Sequence, residues 1–152
     1  MPLAVTISGT RSTDHRELTR YSDLFTQFLG PFASDHTHFY IGGAKGIDSL
    51  SLLWLAENSA AKITIVAPGT IAQQPPEAQQ AIQRCRERVH EIIELGAEEL
   101  RTPAYHARNC WMVDRSDMVI GFPLHGPEGT SGTWQTISYG AQQGKPRLIV
   151  PV

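Results

Sequence analysis

Three short segments of the sequence combine glycines with basic or hydroxyl side chains, which are residue types that hold phosphate groups in proteins. They are Ser8–Arg11, Gly42–Asp48 and Gly126–Thr133. Glycine lets a backbone approach a ligand closely and adopt a positive φ. The free N–H groups at a helix N-terminus attract anions, and arginine and lysine supply formal positive charge. Together the three segments predict a phosphate-binding site.

A fourth element, Arg108-Asn109, lies at the start of a predicted helix and completes the candidate binding set. Ser131 or Thr133 would cap the helix that begins at the third segment, or would donate a hydroxyl to a phosphate oxygen. The candidate ligand-binding residues are Gly9, Thr10, Arg11, Gly42, Gly43, Lys45, Gly46, Asp48, Arg108, Asn109, Gly129, Thr130, Ser131, Gly132 and Thr133.

Charge and hydrogen bonding suggest different tasks within this set. We expect Arg11, Lys45 or Arg108 to offset the phosphate charge. Asp48 and Asn109 would hold the second segment or contact a ribose. No segment matches GxxxxGK[ST] or GxGxxG, so neither common nucleotide fingerprint is present. Each glycine loop taken alone also fits ordinary turn chemistry.

The elements that must position these segments alternate between strands and helices. Nearly continuous apolar runs, typical of strands buried on both faces, are Leu3–Ser8, Phe39–Ile41, Ile63–Ala67, Met118–Phe122 and Leu148–Val152. Helices are predicted at Asp14–Leu29, Ile47–Glu57, Pro76–Leu95, Ala104–Arg115 and Ser131–Gln143. This alternation predicts an α/β, Rossmann-like, three-layer fold with an open, mostly parallel sheet and helices on both faces. Ligands of such sheets bind at the carboxyl ends of the strands, where the strand order reverses.

Length and composition limit the classes of function. The 152 residues fit a single domain over residues 1–152. The 13 Lys and Arg against 15 Asp and Glu give a net charge of −2. This argues against binding of nucleic acid through the overall charge of the chain. No apolar run approaches the ~20 residues that span a bilayer, and the two cysteines have no CxxC spacing. We expect a cytoplasmic protein without a membrane partner.

Other residues with chemical potential fall outside the segments. His36 and His38 have a metal-like spacing but no third ligand nearby, so no metal site is predicted. His106 and His125 fall near the predicted crevice and could contact a ligand or transfer a proton, although surface histidines without a role are commoner. Trp134 directly follows the third segment and could stack on a base or belong to the core.

Four motifs in this order, SGTRS, YIGGAKGIDSLSLLWLAE, HARNCWMVDRSDMVIGFP and GTSGTWQTISYGAQQGKPRLIV, resemble the SLOG superfamily of Rossmann-like proteins. That superfamily includes the DNA-processing protein A domain and the "lonely guy" cytokinin-activating enzymes, and its YspA or cpYpsA-related branch is the most similar. The resemblance covers nearly the whole chain and implies a nucleotide or nucleotide-derivative site. The residues that match its motifs are Gly9, Arg11, Gly42, Gly43, Gly46, Asp48, Arg108, Asn109, Gly132 and Thr133, with Lys45 in place of the usual arginine.

Departures from the family pattern decide how its activities are ranked. The "lonely guy" motif PGGxGTxxE ends in a glutamate, and Thr136 stands at that place here. A hydrolase of N-glycosides or nucleoside monophosphates would therefore need another carboxylate, for which Glu128, Asp48 and Asp114 are the candidates. The DNA-processing relatives bind single strands through basic surfaces, whereas this acidic chain has no cluster of basic and aromatic residues.

The main hypothesis is a nucleotide-binding protein, which could act as a ligand sensor. The alternatives are a nucleotide-processing hydrolase and a module that binds single-stranded DNA. We expect a nucleotide-like small molecule as partner, with no certain cofactor, and no nucleic acid. Analogy with the fold, the apolar helix Ile47–Glu57 and the tryptophans favour a homo-oligomer.

Overall fold

The computed structural model describes residues 2–128 and 131–152, and within these ranges strands and α-helices alternate. The strands are β1 (Leu3–Gly9), β2 (Thr37–Gly42), β3 (Lys62–Ala67), β4 (Glu91–Glu94), β5 (Met118–Phe122) and β6 (Arg147–Ile149). The helices are α1 (Leu18–Phe28), α2 (Ile47–Asn58), α3 (Pro76–Arg84), α4 (Thr102–Asp114) and α5 (Gly132–Gln142).

The strands form one sheet in the order β4-β3-β2-β1-β5-β6, and every neighbouring pair is parallel. Right-handed crossovers place α1, α2 and α3 on one face and α4 and α5 on the other. The chain runs outward from β1 to β4 and then returns through α4 to β5, so the strand order reverses between β1 and β5. The predicted α/β, Rossmann-like architecture is confirmed, and the described sheet is parallel throughout.

The two faces of the sheet differ in polarity because side chains alternate along each strand. Val5 and Ile7 of β1, in register with Phe39 and Ile41 of β2, are fully or almost fully buried on the face that α1 to α3 cover. The opposite face of β1 carries Thr6, whose hydroxyl lies 2.6 Å from the Ser116 hydroxyl. The larger apolar core therefore lies under α1 to α3, and a thinner, partly polar layer lies under α4 and α5.

The predicted helix Pro76–Leu95 is wrong in its second half. Helix α3 ends at Arg84, a 3₁₀ turn covers Arg86–Arg88, and β4 begins at Glu91 and pairs with β3. Ile92 and Ile93 continue the helical spacing of the preceding residues. Four residues are too few to display the alternation of a strand, so the periodicity alone assigns them to the helix.

No helix in the described parts of the chain is long and apolar enough to cross a membrane.

Gly46 joins the loop after β2 to α2 at a place where two backbones touch. Its φ is +77°, and a Cβ there would lie 2.5 Å from the carbonyl oxygen of Thr10. The next residue, Ile47, donates its N–H to the same oxygen at 3.0 Å. The loop after β1 is thereby fixed against the start of α2.

Replacing Gly46 by alanine should destabilise the fold through two effects. The backbone of Gly46, with φ +77° and ψ −130°, lies in a region that costs alanine about 1–3 kcal/mol, and moving the loop of Thr10 costs about 1–3 kcal/mol more. The matched control is Gly144→Ala, because Gly144 has φ +69° and no heavy atom within 4 Å of its Cβ position. Urea unfolding followed by tryptophan fluorescence measures both, and equal losses in the two variants would contradict the backbone contact.

Candidate functional site

The carboxyl ends of β1 and β5 open into a cavity of about 480 Å³, a size common among small-molecule sites. Its walls come from the loop after β1, α4, the loop after β5 and the first turn of α5. The predicted candidates that line it are Gly9, Thr10, Arg11, Asp48, Arg108, Asn109, Ser131, Gly132 and Thr133. The reversal of strand order thus brings together residues from the first, second and third segments and from α4.

The remaining candidates lie elsewhere. Gly42, Gly43, Lys45 and Gly46 do not line the cavity, and Lys45 is exposed. The glycines of the second segment accommodate neighbouring protein atoms, and this segment reaches the cavity through Ala44 and Asp48. The candidates Gly129 and Thr130 lie outside the described residues.

Two oppositely charged side chains are buried next to Gly42. Arg108 is 5% exposed and Asp48 is 8% exposed. A Cβ at Gly42 would lie 2.4 Å from Arg108 Nη1 and 2.8 Å from Asp48 Oδ2. Any side chain at this position would displace both charged groups, so the second segment needs glycine here to hold the site together.

Hydrogen bonds hold the Arg108 guanidinium at a fixed position. Its Nε donates to Asn109 Oδ1 at 2.8 Å, and its Nη1 donates to the carbonyl oxygen of Val66 at 3.3 Å. Within residues 2–128 and 131–152, Nη2 has no hydrogen-bond partner. An arginine offers five N–H donors, so this buried side chain at the cavity wall retains unused donors.

Burial also controls the charge of Asp48. Desolvation raises the pKa of Asp48 to about 7, although Arg108, the N–H of Ala44 and Arg11 oppose the shift. The Ala44 N–H donates to Asp48 Oδ2 at 3.3 Å. Burial likewise lowers the pKa of Arg108, and Asp48 opposes that shift. Near neutral pH the carboxyl group is only partly ionised, so positive charge predominates at this wall.

Asn109 connects α4 to the first turn of α5. Its Nδ2 donates to Gln135 Oε1 at 3.0 Å and to the carbonyl oxygen of Gly132 at 3.4 Å. Its Oδ1 accepts from Arg108. The side-chain amide therefore positions Arg108 and the start of α5. We expected Asn109 to hold the second segment, and it holds α4 and α5 together instead.

The first turn of α5 also fixes the loop after β5. The Ser131 hydroxyl caps the helix by accepting a hydrogen bond from the N–H of Trp134 at 3.2 Å. Capping is one of the two roles that the sequence predicted for Ser131 or Thr133. The indole Nε1 of Trp134 donates to the carbonyl oxygen of His125 at 2.7 Å. Trp134 thus ties the loop to the helix, and its indole N–H is used within the protein.

Several lining residues were not among the candidates. Ser8 and Ala44 belong to the predicted segments but were not singled out. The residues that sequence reasoning missed are Ile7, Ser12, Thr102, Tyr105, Met112 and Leu124. Tyr105 and Met112 lie three residues before and four after Arg108, so helical spacing from Arg108 could have found them. The Arg11 guanidinium carbon lies 4.4 Å from the centroid of the Tyr105 ring. His106 and His125 both line the cavity, in agreement with their predicted position near the crevice.

The carboxylate candidates for hydrolysis separate in space. Asp48 lines the cavity, whereas Glu128 and Asp114 do not, and Asp114 accepts a 2.6 Å hydrogen bond from the Tyr139 hydroxyl.

His38 lies 2.6 Å from the Thr64 hydroxyl through Nε2. In the described ranges, no group of three or more His, Cys, Asp or Glu residues could hold a metal ion.

The solved structures that are similar to this chain include the following two. DNA processing protein A from Helicobacter pylori, a structure described for its unique single-stranded DNA binding mode, has a TM-score of 0.72 and 21% identity, covering 99% of this chain and 66% of that chain. The structural-genomics target TM1055 has a TM-score of 0.60 and 14% identity, covering 97% and 72% respectively. No protein-family model matches the chain, and no curated protein matches it.

These likenesses show the Rossmann-like fold, which agrees with the fold of the SLOG-related proteins. The chain spans slightly less than two thirds of DNA processing protein A. The YspA branch, the single domain, the homo-oligomer and the cytoplasmic location stay predictions.

The first likeness corrects the expectation that nucleic acid is not a partner. DNA processing protein A has this fold and binds single-stranded DNA. The expectation was drawn from a net charge of −2 over the whole chain and from the lack of a cluster of basic and aromatic residues in the sequence. A whole-chain sum does not describe the local potential of a cavity, and the fold places Arg11 over the ring of Tyr105. The exclusion was wrong in using net charge to decide the partner class.

Replacing Asp48 by asparagine should remove a specific pH dependence of stability. Between about pH 4 and pH 7 the folded protein keeps the Asp48 proton that the unfolded chain releases, so the stability contributed by this group falls as pH rises. The difference in unfolding free energy between wild type and Asp48→Asn should therefore fall by on the order of 4 kcal/mol across this window. Urea unfolding at half-unit pH steps measures it, and a constant difference would contradict the raised pKa.

Proposed function

We propose that this protein binds a nucleotide or nucleotide derivative in the cavity at the carboxyl ends of β1 and β5. The observation that carries the proposal is the state of Arg108. This side chain is 5% exposed, lines the cavity, and has no partner for Nη2 among the described residues. Among the described residues, Nη2 is not one of the fully buried side-chain nitrogens that lack a partner, so it is accessible to a ligand. The anionic group of a ligand in the cavity would be its acceptor.

The start of α5 supports a phosphate at the same place. The first N–H groups of a helix have no intrahelical acceptor and carry partial positive charge. Ser131, Gly132 and Thr133 line the cavity at that end of α5. A phosphate there would receive backbone N–H donors, while Arg11 and Arg108 offset its charge.

The rest of the cavity suits a base or a ribose. Tyr105, Met112 and Leu124 supply aromatic and apolar surface, and Thr102 and Ser12 add hydroxyl groups. Apolar surface with a few convergent polar groups is the usual composition of a small-molecule site. A nucleotide presents both classes of group, whereas a free inorganic phosphate would leave the apolar surface unused.

A second candidate function is binding of single-stranded DNA through the same cavity. It is favoured by the likeness to DNA processing protein A, which binds single-stranded DNA. A single strand presents the same phosphates and unpaired bases as a free nucleotide. The two candidates therefore share residues and differ in the length of the ligand.

The cavity should bind a nucleotide, with affinity that depends on Arg11. Calorimetric titration with AMP, ADP, ATP and ADP-ribose should give binding that Arg11→Ala weakens about 10- to 100-fold, because a charge-assisted hydrogen bond contributes about 1.5–3 kcal/mol. Thr133→Glu should abolish binding, because it places a negative charge where the phosphate lies. The control is Lys62→Ala, since Lys62 is exposed at the amino end of β3, opposite the cavity. Absence of binding to every compound, or equal weakening in all variants, would contradict the proposal.

Single-stranded DNA should bind with a steep salt dependence if the second candidate function holds. A fluorescent 20-nucleotide oligothymidylate titrated at 50 to 300 mM salt should then give a log–log slope of about −0.7 for each phosphate contacted. Thr133→Glu should remove this binding, and the tightest nucleotide should compete with it. Binding that Thr133→Glu leaves unchanged would place the strand outside the cavity.

A further inference from the structure

We infer that His106 and His125 make this cavity a phosphodiester-hydrolysing site, with a nucleoside 2′,3′-cyclic phosphate as the representative substrate class. The inference rests on the proposed function, because it requires the ligand phosphate at the first turn of α5. It assigns to the same cavity a reaction and the two side chains that perform it.

His106 and His125 both line the cavity but come from different walls. His106 lies on α4, and His125 lies on the loop between β5 and α5. A substrate held in the cavity would therefore lie between the two elements that carry these histidines. General acid–base catalysis of an in-line displacement needs one group for the attacking oxygen and a second for the leaving oxygen, because the two oxygens lie on opposite sides of phosphorus.

Hydrogen bonds tie both walls to the phosphate end of the cavity. The carbonyl oxygen of His125 accepts from Trp134 Nε1 at 2.7 Å, and the N–H of Trp134 donates to the Ser131 hydroxyl at 3.2 Å. On the other side, Asn109 lies one turn after His106 on α4 and donates to the carbonyl oxygen of Gly132. Each histidine is thus attached to an element that is bonded to the first turn of α5.

The groups around the phosphate suit the charge that develops during hydrolysis. The cavity is lined by Arg11, Arg108 and the first residues of α5. Their hydrogen-bond donors are therefore in place before a reaction begins. Fixed donors aimed at developing charge are the main source of electrostatic catalysis. Imidazole both accepts and donates a proton near neutral pH. The cavity therefore combines anion stabilisation with two groups able to transfer protons.

The hydrolytic step balances with water as the only co-reactant. One neutral imidazole accepts a proton from water as the water oxygen forms a bond to phosphorus. The bond from phosphorus to one ribose oxygen breaks, and that oxygen takes a proton from the other histidine, which begins as imidazolium. The product is a nucleoside phosphomonoester, and exchange of protons with solvent restores both histidines.

A diester fits these groups better than an N-glycoside does. The carboxylates Glu128 and Asp114 do not line the cavity, and Asp48 is buried beside Arg108. A ribose alkoxide is a poor leaving group that benefits from a proton donor, and a diester also needs activation of water. Two histidines supply both requirements.

The test is turnover of 2′,3′-cyclic AMP, followed by chromatography of the monoester product, with binding measured separately by calorimetry. Wild type should hydrolyse it, with a bell-shaped dependence of kcat on pH. His106→Ala and His125→Ala should each lower kcat at least 100-fold, with Kd within about threefold of wild type. His106→Gln repeats the test should His106→Ala fail to fold. His36→Ala is the control, because the His36 side chain is 79% exposed in the loop before β2.

The acid and the base can be told apart with a better leaving group. Thymidine 5′-p-nitrophenyl phosphate releases p-nitrophenolate, which needs little protonation. The variant that lacks the general acid should regain most of its activity on this ester, and the variant that lacks the general base should not.

Three results overturn the inference, and they separate it from the proposed function. Binding of 2′,3′-cyclic AMP without turnover refutes the chemistry and leaves nucleotide binding intact. Turnover that survives in both histidine variants assigns the reaction to other groups. Failure of every nucleotide to bind refutes the proposed function and the chemistry together.

Discussion

The buried guanidinium of Arg108 is the interaction on which the rest of the site depends. It lies against Gly42, where no side chain could be added without displacing it, and Asp48 lies close to the same Cβ position. Asn109 and Val66 hold two of its nitrogens. Because one charge is fixed by backbone and amide groups from α4 and β3, a change in any of these elements alters the cavity. The glycines of the second segment therefore serve the site without lining it.

Sheet topology explains why charges from distant parts of the sequence meet. The carboxyl ends of parallel strands share one edge, and the connections after β1 and β5 leave in opposite directions where the strand order reverses. The loop after β1 is fixed to α2 through Thr10 and Ile47, and α5 is fixed to α4 through Asn109. These bonds link the two helical layers around the cavity, so its shape follows from the strand order and from a few contacts at the ends of strands.

Features of the fold and site that leave a local pattern in the sequence could be predicted, and features that depend on packing between distant residues could not. Buried strands and amphipathic helices have local periodicity, so the parallel α/β fold was predictable, and glycines after strands marked the loops. The β4 strand was missed because Ile92 and Ile93 fit the preceding helical stripe. Gly42 accommodates Arg108, although the two residues are 66 positions apart in the sequence. This packing leaves no local pattern in the sequence. Tyr105 was accessible in principle from its helical spacing to Arg108, whereas the shared position of His106 and His125 required the fold.

The chain can carry a net negative charge while the cavity is cationic, because net charge sums over the whole chain and the charge of the cavity depends on the few residues that line it. The carboxylates outnumber the basic side chains by 15 to 13. In the part of the chain that the structure describes, Asp48 is the only carboxylate that lines the cavity, where Arg11 and Arg108 also lie. Burial raises the pKa of Asp48 to about 7, so even this carboxylate is partly neutral at physiological pH. Field lines concentrate in clefts with low-dielectric walls, and a phosphate at the cavity therefore experiences the arginines and the α5 N-terminus more strongly than the exposed acids. Local geometry, and not the charge sum, decides which anions this fold can hold.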